Sequence, residues 1–135
     1  MRHPRLLVCR DEVGIGERLR DLARQRKWFF RSRRRPAACL RLLRRGCPTV
    51  LVLGVGGRLI GRALEDEFRL LERVAWLFPD TMMIVVLGRE DPALAALAWD
   101  LGARYVLTTA QARDWLPDIV VGLMKAAMSC SMSGD

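Results

Sequence analysis

The sequence has little histidine, tyrosine or lysine, and it has no long apolar run. Its one histidine, His3, lies near the start of the 135-residue sequence, where a catalytic base or metal ligand is not expected. No serine–histidine–acid set can be assembled, which argues against a hydrolase triad. Apolar runs such as Met82–Gly88 have the length of a buried strand and are far shorter than the ~18 residues of a membrane span.

The four cysteines, at positions 9, 39, 47 and 130, follow neither a zinc-binding nor a disulfide spacing. Because no two form a C-x-x-C pair, we predict reduced thiols in a cytoplasmic protein. A hydrophobic fraction of 51% over this length is enough for one domain with a buried core. We expect that domain to cover residues 1–128, followed by a flexible tail of small polar residues over 129–135.

Positive charge is concentrated in one half of the chain. Residues 1–62 carry 17 basic and four acidic groups, whereas the remaining 73 residues carry six basic and 11 acidic groups. Nearly all the basic groups are arginine, and the net charge is +8. This asymmetry favours an anionic partner for the first half, and the alternative interpretation is a solvated arginine-rich surface.

The densest basic segment joins the second predicted strand to the second predicted helix. Its arginines, with those on the outer face of that helix, form a predicted basic interaction edge: Arg31, Arg33, Arg34, Arg35, Arg41, Arg44 and Arg45. Such an edge could contact an acidic protein or nucleic-acid phosphates. Nucleic acid is the less favoured partner, because no helix-turn-helix, RNA-binding signature or zinc pattern is present. The neighbouring aromatic run 28–30 is expected to pack as strand core.

Short apolar runs alternate with amphipathic stretches along the whole chain. Strands are predicted at 6–9, 28–30, 50–53, 83–87 and 105–107, with helices between them, one closing at Gly46 and the last running from about Trp115 to Met128. A glycine-rich turn is predicted over 54–57. Continuous apolar strands separated by helices indicate a parallel sheet covered on both faces. The predicted fold is an α/β three-layer sandwich with five parallel strands.

Three segments resemble the receiver domain of two-component response regulators. Residues 6–12 (LLVCRDE) resemble the first strand and its acidic turn, 48–54 (PTVLVLG) the strand that ends in the phosphorylated aspartate, and 101–109 (LGARYVLTT) the approach to the fifth strand. The resemblance implies a flavodoxin-like, CheY-like fold with strand order 2-1-3-4-5. It also implies a pocket at the carboxyl ends of the first and third strands.

The chain departs from the receiver pattern at nearly every reactive position. Arg10 replaces the first magnesium-binding acid, although Asp11 matches the second and Glu12 follows it. Gly54 stands at the phosphoacceptor, and Leu87 stands at the hydroxyl position. Thr109, or Thr108 if the alignment shifts by one, stands at the lysine. Because glycine cannot form an acyl phosphate and arginine repels a divalent cation, we predict a degenerate pocket without metal or cofactor.

The same pocket could still hold an anion. Backbone N–H groups of Gly56 and Gly57 and the side chains of Arg10, Arg58 and Arg62 are candidates for a small phosphorylated ligand or nucleotide. The alternative is that these glycines only permit the turn. The acidic cluster 65–67 is expected to favour the start of its helix through the helix dipole.

The sequence therefore predicts a non-enzymatic pseudo-receiver in two-component signalling that acts by binding a protein. The resemblance implies an output or homodimer face on the fourth helix, fifth strand and last helix. Its residues here would be Leu94, Trp99, Asp100, Tyr105, Trp115 and Asp118. No membrane association is expected.

Overall fold

The computed structural model describes residues 3–10, 14–55 and 62–133, and within them five strands alternate with five helices. The strands are β1 (Arg5–Cys9), β2 (Phe29–Arg33), β3 (Thr49–Val55), β4 (Met82–Leu87) and β5 (Tyr105–Thr108). The helices are α1 (Gly16–Arg26), α2 (Pro36–Leu42), α3 (Arg62–Leu77), α4 (Pro92–Asp100) and α5 (Thr109–Ser133). The predicted alternation is confirmed.

The five strands form one parallel sheet in the order β2-β1-β3-β4-β5. This is the predicted order. Because β2 lies on one side of β1 and β3 on the other, the direction in which successive strands are added to the sheet changes at β1. Cys9, the last residue of β1, pairs with Arg33 on one side and Leu53 on the other. The carboxyl ends of β1 and β3 therefore lie side by side, as a ligand crevice in an open α/β sheet requires.

Two apolar layers lie on opposite faces of the sheet because successive strand residues point in opposite directions. Leu6, Val8, Val52 and Ile84 pack with α1 and α5 on one face. Leu7, Leu51, Leu53 and Val85 pack with α2, α3 and α4 on the other. All eight side chains are essentially inaccessible to solvent, so the sheet is covered on both faces.

Two boundaries differ from the predicted ones around the basic segment. β2 continues through Arg33, three residues beyond the predicted strand, because Arg31 and Arg33 pair with β1 while their side chains remain exposed. Helix α2 ends at Leu42, short of Gly46. Arg44 Nη1 donates to the carbonyl oxygen of Arg41 at 3.1 Å, which satisfies one of the helix's last acceptors and stabilises this earlier end.

The last helix is longer than predicted at both ends. It begins at Thr109 rather than near Trp115, and it continues through Ser133, so the helix includes residues 129–133 of the segment predicted as a tail. The residues from Ala126 onward include no glycine or proline before Gly134, so the chain meets no helix breaker where the tail was expected. Among the described residues, none of the helices has the length and apolar character that crossing a membrane requires.

Candidate functional site

The carboxyl end of β1 approaches β3 unusually closely. Arg10 follows β1 with a φ of 58°, a left-handed conformation that few residues other than glycine adopt. A Cβ added at Gly54 would lie 3.3 Å from the carbonyl carbon of Arg10 and would overlap its carbonyl oxygen. The backbone of Arg10 therefore occupies the space that any side chain at position 54 would need.

Gly54 is a strand residue in the structure. β3 runs through Val55, so the prediction that Gly54 begins a glycine-rich turn is wrong. Gly54 pairs with Val86 of β4 and is buried. The pairing explains the difference, because the sheet continues to the point where Arg10 crosses, and only a residue without a Cβ fits there.

Glu67 of α3 lies in the same place and forms an ion pair with Arg10. Its side chain has no solvent exposure, whereas that of Arg10 retains 25%. A role for Glu67 in favouring the helix start is therefore wrong, since this carboxylate lies past the first turn and inside the protein. The sequence signal was the helical spacing, because Glu67 precedes Leu70, Leu71 and Val74 by three, four and seven residues.

Opposite charges therefore meet at the carboxyl end of β1. A buried carboxylate is costly unless it is paired, and the guanidinium of Arg10 supplies the compensating charge. The Arg10 guanidinium and the Glu67 carboxylate offset each other's charge, so this contact has the character of a structural ion pair. Among the described residues, no cluster of three or more histidine, cysteine or acidic side chains is arranged to hold a metal ion.

The remaining described pocket positions are engaged in backbone structure. Leu87 is buried at the end of β4, and the Thr109 hydroxyl donates to its carbonyl oxygen at 3.2 Å. Thr108, the last residue of β5, accepts from the Gln111 amide at 3.3 Å, and its own amide donates to Gln111 Oε1 at 2.9 Å. This reciprocal pair is a capping box at the start of α5. Both threonine hydroxyls therefore hold the β5–α5 junction.

The other predicted pocket and anion-site residues lie outside the described part of the chain. Asp11, Glu12, Gly56, Gly57 and Arg58 are not among the described residues, and of Arg62 only the helical backbone is described. The anion site predicted for the glycine turn stays a prediction.

Two cysteines lie buried beside the crevice. Cys9 ends β1, and the Cys39 thiol of α2 donates to the Val8 carbonyl oxygen at 3.8 Å. A hydrogen bond with Cys39, together with burial, raises the pKa of the Cys9 thiol. Cys9 is therefore protonated at neutral pH and is a poor nucleophile.

The seven arginines of the basic interaction edge are all exposed, but they lie on several elements. Arg31 and Arg33 belong to the edge strand β2, Arg35 precedes α2, and Arg44 and Arg45 follow it rather than lying on its outer face. The placement of Arg44 and Arg45 corrects the prediction, because α2 has already ended at Leu42. Charged side chains on an edge strand also discourage pairing with a second sheet.

The aromatic run before this edge packs against the core. Phe29 and Phe30 are half-buried against opposite faces of the sheet. The guanidinium groups of Arg5 and Arg31 each lie 4.4 Å from the centre of the Phe29 ring. Because cations cover this ring, it offers no open platform for a nucleic-acid base.

A separate surface formed by α4, β5 and α5 presents aromatic side chains to solvent. Trp99, Tyr105 and Trp115 are 49%, 43% and 55% exposed, and the Trp99 and Tyr105 rings lie 6.4 Å apart. Asp100 and Asp118 are exposed as well, and Leu94 is half-buried. The rings of Trp99 and Tyr105 thus lie near each other, Trp115 is exposed on α5, and we call the exposed side chains of these three elements the α4–β5–α5 surface.

Solved structures resemble this fold over nearly its whole length. The signal receiver domain of a LuxO repressor protein from Vibrio parahaemolyticus superposes with a TM-score of 0.77 at 16% identity, covering 100% of this chain and 99% of that one. The signal receiver domain of an HD domain-containing protein from Pseudomonas fluorescens gives 0.73 at 19% identity, covering 96% and 92%. The chain has the receiver fold.

A third similar structure, the beryllofluoride-activated NtrC4 receiver domain dimer, gives a TM-score of 0.65 at 20% identity over 94% of this chain and 98% of that one. No family model and no curated protein matches the sequence. At these identities the receiver fold is what the likeness establishes, and the chemistry of the pocket has to be argued from the residues themselves.

Proposed function

We propose that this protein is a pseudo-receiver, a signalling module that acts by contacting another protein and is not phosphorylated through the usual aspartate. Two observations support this proposal. The chain has the receiver fold, and the described pocket positions hold a glycine, a buried ion pair and two threonines with structural hydrogen bonds. It assigns no enzymatic activity and no cofactor. Signalling would then depend on surfaces, not on turnover.

The close approach of Arg10 to Gly54 carries this proposal. A reactive carboxylate at the end of β3 would need a Cβ where the Arg10 carbonyl oxygen lies. The Arg10–Glu67 pair lies at the carboxyl end of β1, where the receiver resemblance implies that magnesium would need oxygen ligands, and a guanidinium supplies none. Restoring the phosphoacceptor thus requires moving backbone and removing a buried charge pair, beyond replacing one side chain.

The α4–β5–α5 surface is the contact surface that supports the proposal. Trp and Tyr side chains are enriched among the residues that dominate binding energies, and Trp99, Tyr105 and Trp115 are each substantially exposed on these three elements. One of the similar structures is a receiver dimer. A homodimer through this surface is the simplest partner that fits.

Phosphorylation is tested with acetyl phosphate and Mg²⁺, read by intact mass. We expect no phosphoryl adduct on the wild-type chain, while a receiver domain that retains its aspartate is modified in parallel. A stable adduct on any aspartate, including Asp11, would contradict the proposal.

Association is tested by sedimentation over a concentration series. We expect Trp99→Ala and Trp115→Ala each to weaken self-association by about tenfold or more, since a buried aromatic anchor contributes strongly to binding. Trp76→Ala, on α3 and outside this surface, is the matched control. A wild-type chain that remains monomeric at all concentrations would refute the homodimer, and unchanged association in both variants would exclude this surface.

A further inference from the structure

A groove of about 880 Å³ lies between α2 and α3, beside Arg10. Leu70 is buried and Leu40 half-buried, so these aliphatic side chains form its floor. Exposed arginines form its two rims: Arg35 and Arg41 on the α2 side, and Arg69 and Arg73 on α3. Arg69 and Arg73 are four residues apart, so they project from the same face of the helix.

The charge of this groove is not neutralised from within. Among the described residues that line it, Asp66 alone is acidic. In the same described part of the chain, no carboxylate lies within 4.0 Å of the guanidinium nitrogens of the four rim arginines. Four neighbouring guanidinium groups repel one another, and an anionic group between them would relieve that repulsion.

A second, smaller concavity of about 310 Å³ lies at the C-terminal end of α3. Arg44, Arg45 and Trp76 line it, and Trp76 is 82% exposed. Trp76 follows Arg69 and Arg73 by seven and three residues, so the three side chains form one stripe about 10 Å long. Tryptophan and arginine are the residue types that most often dominate protein interfaces.

We propose that the α2–α3 groove binds an acidic amphipathic helix of a partner protein. The apolar face of that helix packs on Leu40 and Leu70, its carboxylates pair with the arginines of both rims, and its end contacts Trp76. An arginine can bind a carboxylate through two parallel hydrogen bonds, so the pair has a preferred orientation in addition to its charge attraction. This goes beyond the proposed function because it assigns a second surface, separate from the α4–β5–α5 surface.

The composition of the groove favours a peptide over a nucleic acid. Bases stack on aromatic rings, whereas the floor here is aliphatic and the exposed aromatic ring lies at one end. Because Arg69, Arg73 and Trp76 repeat along one face of α3, a partner helix that lies along α3 can place its own side chains opposite them at matching intervals. Charge complementarity then selects an acidic helix over a basic one.

The test uses two synthetic helical peptides with the same leucine face. In one peptide the flanking positions are glutamate, and in the other they are glutamine. Anisotropy of the labelled peptides should show that the glutamate peptide binds the full chain about tenfold tighter, with affinity falling as salt is added. Equal affinity for both peptides, or no binding of the glutamate peptide, would overturn the proposal.

Matched variants locate the binding. The double change Arg69→Glu and Arg73→Glu should weaken the glutamate peptide about tenfold or more, whereas Arg24→Glu with Arg26→Glu, the same charge change on α1 across the sheet, should not. Equal affinity of both double variants would place the binding elsewhere and refute the groove. A thymidine oligonucleotide or tripolyphosphate that binds through Arg69 and Arg73 more tightly than the peptide would make the groove a phosphate site instead.

The two proposals fail separately. Trp76→Ala should weaken peptide binding and leave self-association unchanged, and Trp115→Ala should do the reverse. If Trp115→Ala weakens peptide binding as much as Trp76→Ala does, the peptide contacts the α4–β5–α5 surface and the groove assignment is wrong. Phosphorylation by acetyl phosphate would refute the pseudo-receiver without affecting the groove.

Discussion

Gly54→Ala is the smallest change that tests the close approach of β3 to the Arg10 backbone. It adds one methyl group at the point where β3 passes the carbonyl oxygen of Arg10. The neighbouring atoms are backbone, not the end of a flexible side chain, and they belong to a residue already held at a φ of 58°. Relief therefore requires β1 or β3 to shift.

The expected cost follows from two opposing effects. Forcing an extra methyl group into a packed interior destabilises proteins by about 1–3 kcal/mol. Replacing glycine by alanine also restricts the unfolded chain, which favours folding by about 0.4–1 kcal/mol where the native backbone accepts alanine. The overlap is with backbone atoms, which argues for the upper end of the steric range, about 3 kcal/mol. After the opposing effect on the unfolded chain is subtracted, Gly54→Ala should lower the free energy of unfolding by about 2 kcal/mol.

Urea unfolding monitored by far-UV circular dichroism measures this difference, and Gly122→Ala provides the control. Gly122 lies exposed in α5, and a Cβ added there meets no atom within 4 Å. Alanine should raise stability at that position by about 0.4–1 kcal/mol, because it favours the helix and restricts the unfolded chain. If both variants shift stability in the same direction and by similar amounts, the proposed overlap at Gly54 is wrong.

Three further predictions follow from the described contacts. Arg10→Met should destabilise the fold by up to about 3–5 kcal/mol, because it removes a guanidinium that pairs with the buried Glu67 carboxylate. Adding Glu67→Leu should recover part of that loss, and additive losses in urea unfolding would contradict a coupled pair. Thr108→Ala should lower the free energy of unfolding by about 1 kcal/mol because it removes the cap of α5, whereas Thr108→Ser keeps the hydroxyl and should lower it less. Equal losses in the two variants would show that the hydroxyl does not cap α5. Iodoacetamide with peptide mapping should label the half-buried Cys47 faster than Cys9, whose thiol is buried and has a raised pKa; equal native-state rates would contradict this burial.

Much of the fold could be predicted because hydrophobic periodicity decides strand and helix positions. The apolar run of β4 is buried throughout, as its composition predicts. Asp91 before Pro92 is a sequence pattern typical of a helix start, and in the structure the Asp91 side chain accepts from the Leu94 backbone amide at 3.2 Å and caps α4. Such signals are local, so sequence alone is sufficient to identify them.

Errors in the predicted elements arise where a contact between elements sets the boundary. Arg31 and Arg33 are polar, so periodicity assigns them to a loop, but pairing with β1 makes them strand. The early end of α2 depends on where the Arg44 side chain turns back. The early start of α5 depends on the reciprocal hydrogen bonds of Thr108 and Gln111, whose spacing in the sequence is that of a capping box.

The site was less predictable than the fold because its partners are distant in sequence. Substitutions in the receiver pattern indicate a lost pocket, but they do not show what fills it. The Arg10–Glu67 pair joins residues 57 positions apart, and only the register of β1 and β3 with α3 above them brings the two together. The groove could not be predicted from the sequence for the same reason. Its two sides, Arg35 and Arg41 near α2 and Arg69 and Arg73 on α3, come together only in the folded chain.

Gly54, Arg10 and Glu67 depend on one another, and this dependence constrains how the crevice can change. An aspartate at position 54 overlaps the Arg10 backbone, and it adds a second carboxylate to a site that already holds the buried Glu67. Replacing Arg10 first removes a positive charge that pairs with the buried Glu67, and replacing Glu67 first removes a negative charge that pairs with the partly buried Arg10 guanidinium. Each single step towards a reactive pocket thus destabilises the fold before it restores any chemistry. Surface residues, where substitutions usually cost little stability, are therefore the positions at which this chain can vary most readily.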